Sequence, residues 1–442
     1  MLSYPTRIAL IAALGGFLFG FETAVISGAE KTIESLWQLS SFWHGFTVAS
    51  SLIGTVLGSI VAGVPAQRFG RKKTLMAISI LYLISAIGCT LSSVWILFVS
   101  FRFVGGIAVG ASSVVGPMYI SEVAPARQRG RLAGSFQLNI VMGIFIALVT
   151  NFFFKDFGEN SWRWMLGVMV IPAGLFAILL RTIPESPRWL VLNNRDSEAE
   201  KVFARTGETD AIRLIKEEHA LSSHGSSENL FSFKYRKPIL FAVLLAMFNQ
   251  LSGINAIFYF APRIFELAGA DKAHAYLQPV YLGAANLVFT LLAMSLIDRF
   301  GRKKLLLIGS VGMILFLFLT GQSLNVGSGS GLLVFYLIGF IAFFAFSQGA
   351  VIWVFISEIF PNSVRSKGGA LGSFTHWFMA ATISWIFPSI AEIQSGGIHT
   401  GVIYAFYGFA AMMVLHLIFV WKFLPETKGK SLEEIQKFLK ID

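Results

Sequence analysis

Arg68-Phe69-Gly70-Arg71-Lys72-Lys73 recurs letter for letter as Arg299-Phe300-Gly301-Arg302-Lys303-Lys304. Two further pairs keep the same order. Ile120-Ser121-Glu122-Val123-Ala124-Pro125 matches Ile356-Ser357-Glu358-Ile359-Phe360-Pro361, and Pro184-Glu185-Ser186 matches Pro425-Glu426-Thr427. Arg129 and Arg365 each stand four residues after their proline. The offsets are 231, 236 and 241. Three co-linear matches at nearly one offset mark an internal duplication.

Around these motifs lie apolar runs of membrane-spanning length, since a bilayer takes roughly 20 apolar residues as a helix. The first six cover about 8–28, 45–66, 74–93, 95–120, 132–154 and 164–183. The second six cover about 238–262, 277–297, 304–324, 331–357, 368–391 and 401–424. The RFGRKK copy follows the second span of each set, the acidic motif ends the fourth, and the Pro-Glu motif follows the sixth. Six is even, so both repeats share one orientation, the arrangement of transporters that rock two bundles about a midplane site. The expected fold is therefore all-α and integral to the membrane, with twelve helices. Its divisions are an N-terminal bundle at 1–183, a cytoplasmic helical linker at 184–237, a C-terminal bundle at 238–424 and a cytoplasmic tail at 425–442.

Composition agrees. Of 442 residues, 55% are hydrophobic and only 13% charged, against about 25% charged in a typical soluble domain. The net charge of +11 reads as topology. Only Lys31, Lys155, Arg163, Arg263 and Lys272 lie opposite the linker, Arg102 lies within a span, and all other Lys and Arg fall on the linker side. Positive loops stay in the cytoplasm, so both termini and the linker are expected there, in a multi-pass protein of the cell's inner membrane. A nucleic-acid partner is not needed to account for the charge. The first run carries a carboxylate and lacks a small-residue cleavage site, so it reads as a retained span. The linker reads as one or two amphipathic helices along the membrane face, too small and polar for a core of its own. The single Cys89 excludes an intramolecular disulfide.

Positive-inside topology requires no acids at fixed places, yet each repeat has them. Glu122, Glu185, Glu358 and Glu426 can pair with Arg68, Arg71, Arg129, Arg299, Arg302 and Arg365. A network of such pairs could close the cytoplasmic side and break on opening, although each solvated pair is worth only ~1 kcal/mol.

The RFGRKK loops, the PESPRWL and PETKG elements and Gln250-Leu251-Ser252-Gly253-Ile254-Asn255 together resemble the sugar porter family of the major facilitator superfamily. The resemblance is strongest to bacterial xylose–proton symporters, and it covers nearly the whole chain. It implies a secondary transporter that imports a pentose or hexose with a proton by alternating access, works as a monomer and needs neither cofactor nor metal. An uncoupled facilitator, a porter of another polyol and a non-catalytic sugar sensor are the alternatives. No phosphate-binding loop or metal-ligand spacing supports an enzyme.

A sugar site needs amides, which donate and accept together, and an aromatic ring to lie against. The seventh span offers Asn249, Gln250 and Asn255. Gln250 and Asn255 would be about 140° apart on a regular helix, unless Ser252-Gly253 breaks it. The resemblance carries sugar contact to Gln250 and Asn255, and also to Gln137, Asn286 and Trp353. Asn249 stands where the family has a glutamine, and His376 where it has Gln or Asn. Phe19, Phe21 and Tyr259 are candidate cavity linings.

Glu22 and Arg102 read as the only acid and the only base deep within the spans. A lone buried charge is costly, so pairing is the economical expectation. Burial and a nearby guanidinium pull a carboxyl's proton affinity in opposite directions. A site where that balance changes between conformations can load and release a proton. The resemblance places the coupling acid of the symporters at Glu22.

Overall fold

The computed structural model of the chain describes residues 3–206, 212–217, 229–361, 363–395, 399–430, 432–439 and 441. The regular elements among them are all helical. The first half contains α1 (Tyr4–Leu36), α2 (Ser41–Val61), α3 (Gly63–Phe69), α4 (Arg71–Leu91), α5 (Trp95–Val123), α6 (Arg129–Phe154), α7 (Ser161–Gly167) and α8 (Val170–Leu180). The linker carries α9 (Pro187–Leu192), α10 (Asp196–Thr206) and α11 (212–217). The second half contains α12 (Arg236–Leu251), α13 (Ile254–Tyr259), α14 (Ala261–Leu267), α15 (Lys272–Phe300), α16 (Arg302–Val326), α17 (Ser330–Phe346), α18 (Gln348–Ile359), α19 (Arg365–Ala391) and α20 (Thr400–Phe423), followed by α21 (Leu432–Leu439).

These make twelve membrane spans. Eleven helices or broken helices among the described residues are long and apolar enough to cross a bilayer. The twelfth is α19, whose 27 residues include six Ser or Thr and His376. Three spans are discontinuous. The sixth breaks between α7 and α8, the seventh at Gly253 (φ +82°) and the tenth at Ser347 (φ −112°, ψ −93°). Broken spans free backbone groups that are tolerated only when buried in protein or lining a cavity.

By contacts the chain divides into two units. One comprises Met1–Thr23, Ile53–Ala147 and Arg163–Ser227. The other comprises Ala24–Leu52, Leu148–Trp162 and Glu228–Asp442. The division thus cuts across the sequence halves. The ends of α1, α2 and α6 farthest from the linker group with the second half, where Tyr276 donates to the carbonyl of Gly28 (2.8 Å), while Asn151 of α6 ties to α1 through the carbonyl of Val25 (3.1 Å).

In the first unit, glycines let helix backbones touch. The Cα positions of Gly54 and Gly58 on α2 face the carbonyls of Phe103 and Ile107 on α5, and Gly110 of α5 faces that of Thr55, all too close for a Cβ. Close packing within the chain is thus the use of this spacing. Large apolar residues such as Ile171, Phe335 and Tyr404 remain exposed, as a lipid-facing surface requires.

The linker departs from expectation. Trp189, Leu190, Val191, Ala199, Val202 and Phe203 form a buried cluster of their own, with Ile212 and Ile215 packed against it. Its size is sufficient because it is anchored. Ser186 caps α9 by accepting from Trp189 N (3.1 Å), and the Trp189 indole donates to the Gln67 carbonyl (2.7 Å).

Candidate functional site

Glu22 lies just past the middle of α1 and Arg102 in the first third of α5. Their side chains are 4% and 1% exposed, and Arg102 Nη1 donates to Glu22 Oε1 at 2.7 Å. Close approach depends on Gly105, one turn beyond Arg102. A Cβ there would stand 3.1 Å from Glu22 Oε1 and would collide with the Ser85 hydroxyl. Chemically, the pair is a carboxylate and a permanent cation with water excluded.

The seventh span builds a second polar cluster. α12 ends at Leu251, Gly253 takes a left-handed conformation, and α13 restarts at Ile254. The break undoes the 140° separation, so Asn255 Nδ2 donates to Gln250 Oε1 at 2.8 Å. Gln250 Nε2 donates to Asn249 Oδ1 (2.9 Å) and lies 3.2 Å from His376 Nε2 on α19. The His376 ring packs 4.8 Å from both the Trp353 and Trp377 rings, centroid to centroid. Trp353 on α18 is 38% exposed, whereas Asn249, Gln250 and His376 are buried. The cluster offers donors, acceptors and an aromatic face together, as a polyol requires. Asn286 is buried on α15, outside this chain of hydrogen bonds. Gln137 is half-buried on α6 in the other unit. Phe21 and Tyr259 are buried, and Phe19 is half-buried.

The duplicated motifs have duplicated geometry. Arg71 grips Glu122 with two hydrogen bonds of 2.8 Å, and Ser186 donates to the same carboxylate (2.5 Å). In the second half Arg302 donates to Glu358 at 3.0 Å, and Thr427 takes the place of Ser186 (2.6 Å). Glu185 and Glu426 accept backbone N–H groups instead. Glu185 caps α4 through Lys72 N (2.9 Å), and Glu426 caps α16 through Arg302 N (2.9 Å) and Lys303 N (3.1 Å). Each carboxylate lies against a glycine of positive φ, Gly70 or Gly301, whose missing Cβ makes room. An anion at a helix N-terminus is favoured by the orphan N–H groups and the dipole. Arg68, Arg129 and Arg299 are exposed, and Arg365 Nε donates to the Phe360 carbonyl (3.3 Å).

The sequence reading missed a third cluster. α1 runs eight residues past the expected end of its span, so Glu22 is not the only buried acid. Glu30 is 1% exposed and His44 on α2 is fully buried. His44 Nε2 lies 2.7 Å from Glu30 and Nδ1 lies 3.4 Å from Glu34. Arg263 of α14 pairs with Glu34 and approaches Glu30 at 3.6 Å. Glu30, Glu34 and His44 bring ligand-type atoms within 4.8 Å of one another, with the Arg263 guanidinium against them. The available signal was the i, i+4 spacing of Glu30 and Glu34, which puts both on one helix face.

The chain is 37% identical to the D-xylose-proton symporter of Escherichia coli, over 98% of this chain and 95% of that protein. It is also 37% identical to the arabinose-proton symporter of Bacillus subtilis, over 99% and 95%. A solved structure of the Escherichia coli xylose transporter in a partially occluded inward-open conformation superposes with a TM-score of 0.86 at 34% identity, covering 97% of this chain and 99% of that one. The profile described as sugar (and other) transporter matches residues 8–439. The chain therefore belongs to the sugar (and other) transporter family.

Proposed function

We propose that the protein is a secondary transporter that imports a pentose or hexose together with a proton. The observation that carries this reading is the Glu22–Arg102 pair, closed off from water at 2.7 Å. A facilitator has no use for a buried carboxylate whose charge must be balanced, whereas a symporter needs a group that gains and loses a proton with conformation. Relatives that are 37% identical are described as proton symporters of D-xylose and arabinose, which supports the substrate class. One proton driven by ~100 mV supplies about 2.3 kcal/mol, enough for a sugar gradient of roughly 50-fold.

The sugar is bound in this reading by Gln250, Asn255, Asn249 and His376, with Trp353 as the aromatic face and Gln137 and Asn286 as further ligands. Glu22 carries the proton and Arg102 sets its affinity. The cytoplasmic pairs Arg71–Glu122 and Arg302–Glu358, the caps Glu185 and Glu426, and the exposed Arg68, Arg129, Arg299 and Arg365 form the gate on the linker side. Both termini and the linker are cytoplasmic, and the protein works in the lipid bilayer as a monomer. The linker at 184–237 separates the two repeats.

The test is Glu22→Gln in proteoliposomes. Sugar counterflow should persist while accumulation driven by a proton gradient is lost. Unimpaired uphill uptake by the variant would refute the coupling role. Equal uptake with and without a gradient in the unmodified protein would favour the facilitator.

A further inference from the structure

The His44 cluster lies at the end of α1 remote from the linker and takes no part in the proposed coupling. Both ring nitrogens of His44 face a carboxylate, Glu30 at 2.7 Å and Glu34 at 3.4 Å. A neutral imidazole has one N–H, so one carboxylate would meet a lone pair; the imidazolium presents positive charge and an N–H on both edges of the ring. Neither ring nitrogen and neither Glu30 oxygen has a hydrogen-bond partner among the described residues, so these contacts are charge pairs by distance. The charges give the same answer. Glu30 and Glu34 bring two negative charges and Arg263 one positive charge, so a proton on His44 makes the cluster neutral around its two buried members, Glu30 and His44. The surrounding charges are already balanced or solvated. Lys31 of α1 pairs with Glu266 of α14. Tyr276 of α15 donates to Gly28 O, and the exposed Glu392 beyond α19 accepts from Ser41. The Phe260 ring meets His44 edge-on at 5.7 Å and stacks on Phe387, which closes the cluster on its apolar side.

We propose that Glu30, Glu34, His44 and Arg263 form a second proton-binding site, distinct from Glu22, whose proton holds α1 and α2 to α14 on the side opposite the linker. Loss of the proton leaves one uncompensated negative charge out of water. That state is strongly disfavoured, and separation of α14 relieves it by admitting water. Rising pH therefore loosens this contact and falling pH tightens it.

Hydrogen exchange of the full-length protein in lipid nanodiscs, without sugar and corrected for intrinsic exchange rates, tests the proposal at segments 24–52 and 261–267. Opening should rise with pH by up to about tenfold per unit, the slope of one linked proton. The same slope should appear in Glu22→Gln. Glu30→Gln leaves Glu34 and Arg263 balanced without a proton, so it should stay protected at all pH values. His44→Gln should lose the slope and open at every pH. Three results would overturn the proposal: no slope in the unmodified protein, an unchanged slope in Glu30→Gln, or loss of the slope in Glu22→Gln. Protection induced by Zn²⁺ and removed by a chelator would identify a metal site instead and overturn it as well. The readout needs neither sugar nor a gradient, so its failure is distinguishable from failure of the transport reading.

Discussion

Arg102→Met should cost the protein more stability than Arg102→Met combined with Glu22→Gln. The pair is bonded at 2.7 Å, and both side chains are at most 4% exposed. Removing one partner of such a pair leaves a charge stranded in low dielectric, at a cost of about 3–5 kcal/mol. Replacing both by neutral groups of similar length removes the desolvation penalty along with the attraction and is often close to neutral. The two substitutions should therefore be non-additive by about 3 kcal/mol, far beyond the few tenths expected of independent sites. Unfolding in mixed micelles by added denaturing detergent, followed by Trp fluorescence, measures the four corners of the cycle. If the double variant loses the sum of the two single losses, the side chains are not a closed ion pair, and the electrostatic basis for coupling at Glu22 fails with it.

Other expectations follow from local geometry. Gly253→Ala forces a left-handed conformation on a residue with a Cβ, at about 1–2 kcal/mol, and drives that Cβ into the Phe409 ring. Because it displaces Asn255 from Gln250, it should raise the KM for sugar counterflow more than it lowers the melting temperature. Trp189→Ala removes the centre of the linker cluster and its bond to Gln67, a loss of about 3–5 kcal/mol for a buried Trp. Limited proteolysis should then cut 187–206 faster while the spans stay intact. Asp271 caps α15, and its carboxyl is held below the usual range by the backbone N–H and then the side chain of His274. Its contribution to the α15 N-terminus is present above the ordinary carboxylate pKa of about 3.9 and is lost as pH falls through its lower folded value. Exchange at residues 272–275 should accelerate in acid, and Asp271→Ala should abolish that acceleration.

Much of this was open to reading in one dimension. Spans declare themselves by runs of apolar residues, because lipid leaves the backbone no partner but itself. The duplicated motifs declared themselves by repetition, and both copies folded alike, down to Thr427 standing in for Ser186. Glu22 and Arg102 were legible because an isolated charge in an apolar run demands a counter-charge. The linker core was not legible, since the anchoring of Trp189 to Gln67 joins residues 122 positions apart.

The sequence by itself therefore determined twelve spans, their duplication and the burial of Glu22 and Arg102, because runs of apolar residues and a lone charge within one are visible along a single helix. Tertiary structure decided which groups meet. It closed Gln250 onto Asn255 through the left-handed turn at Gly253. It turned Glu185 and Glu426 toward helix N-termini rather than guanidinium groups. It also brought Arg263 to Glu30, Glu34 and His44 across more than two hundred residues of chain. Burial and hydrogen-bond partners depend on distances between helices, and no pattern along one helix encodes those distances.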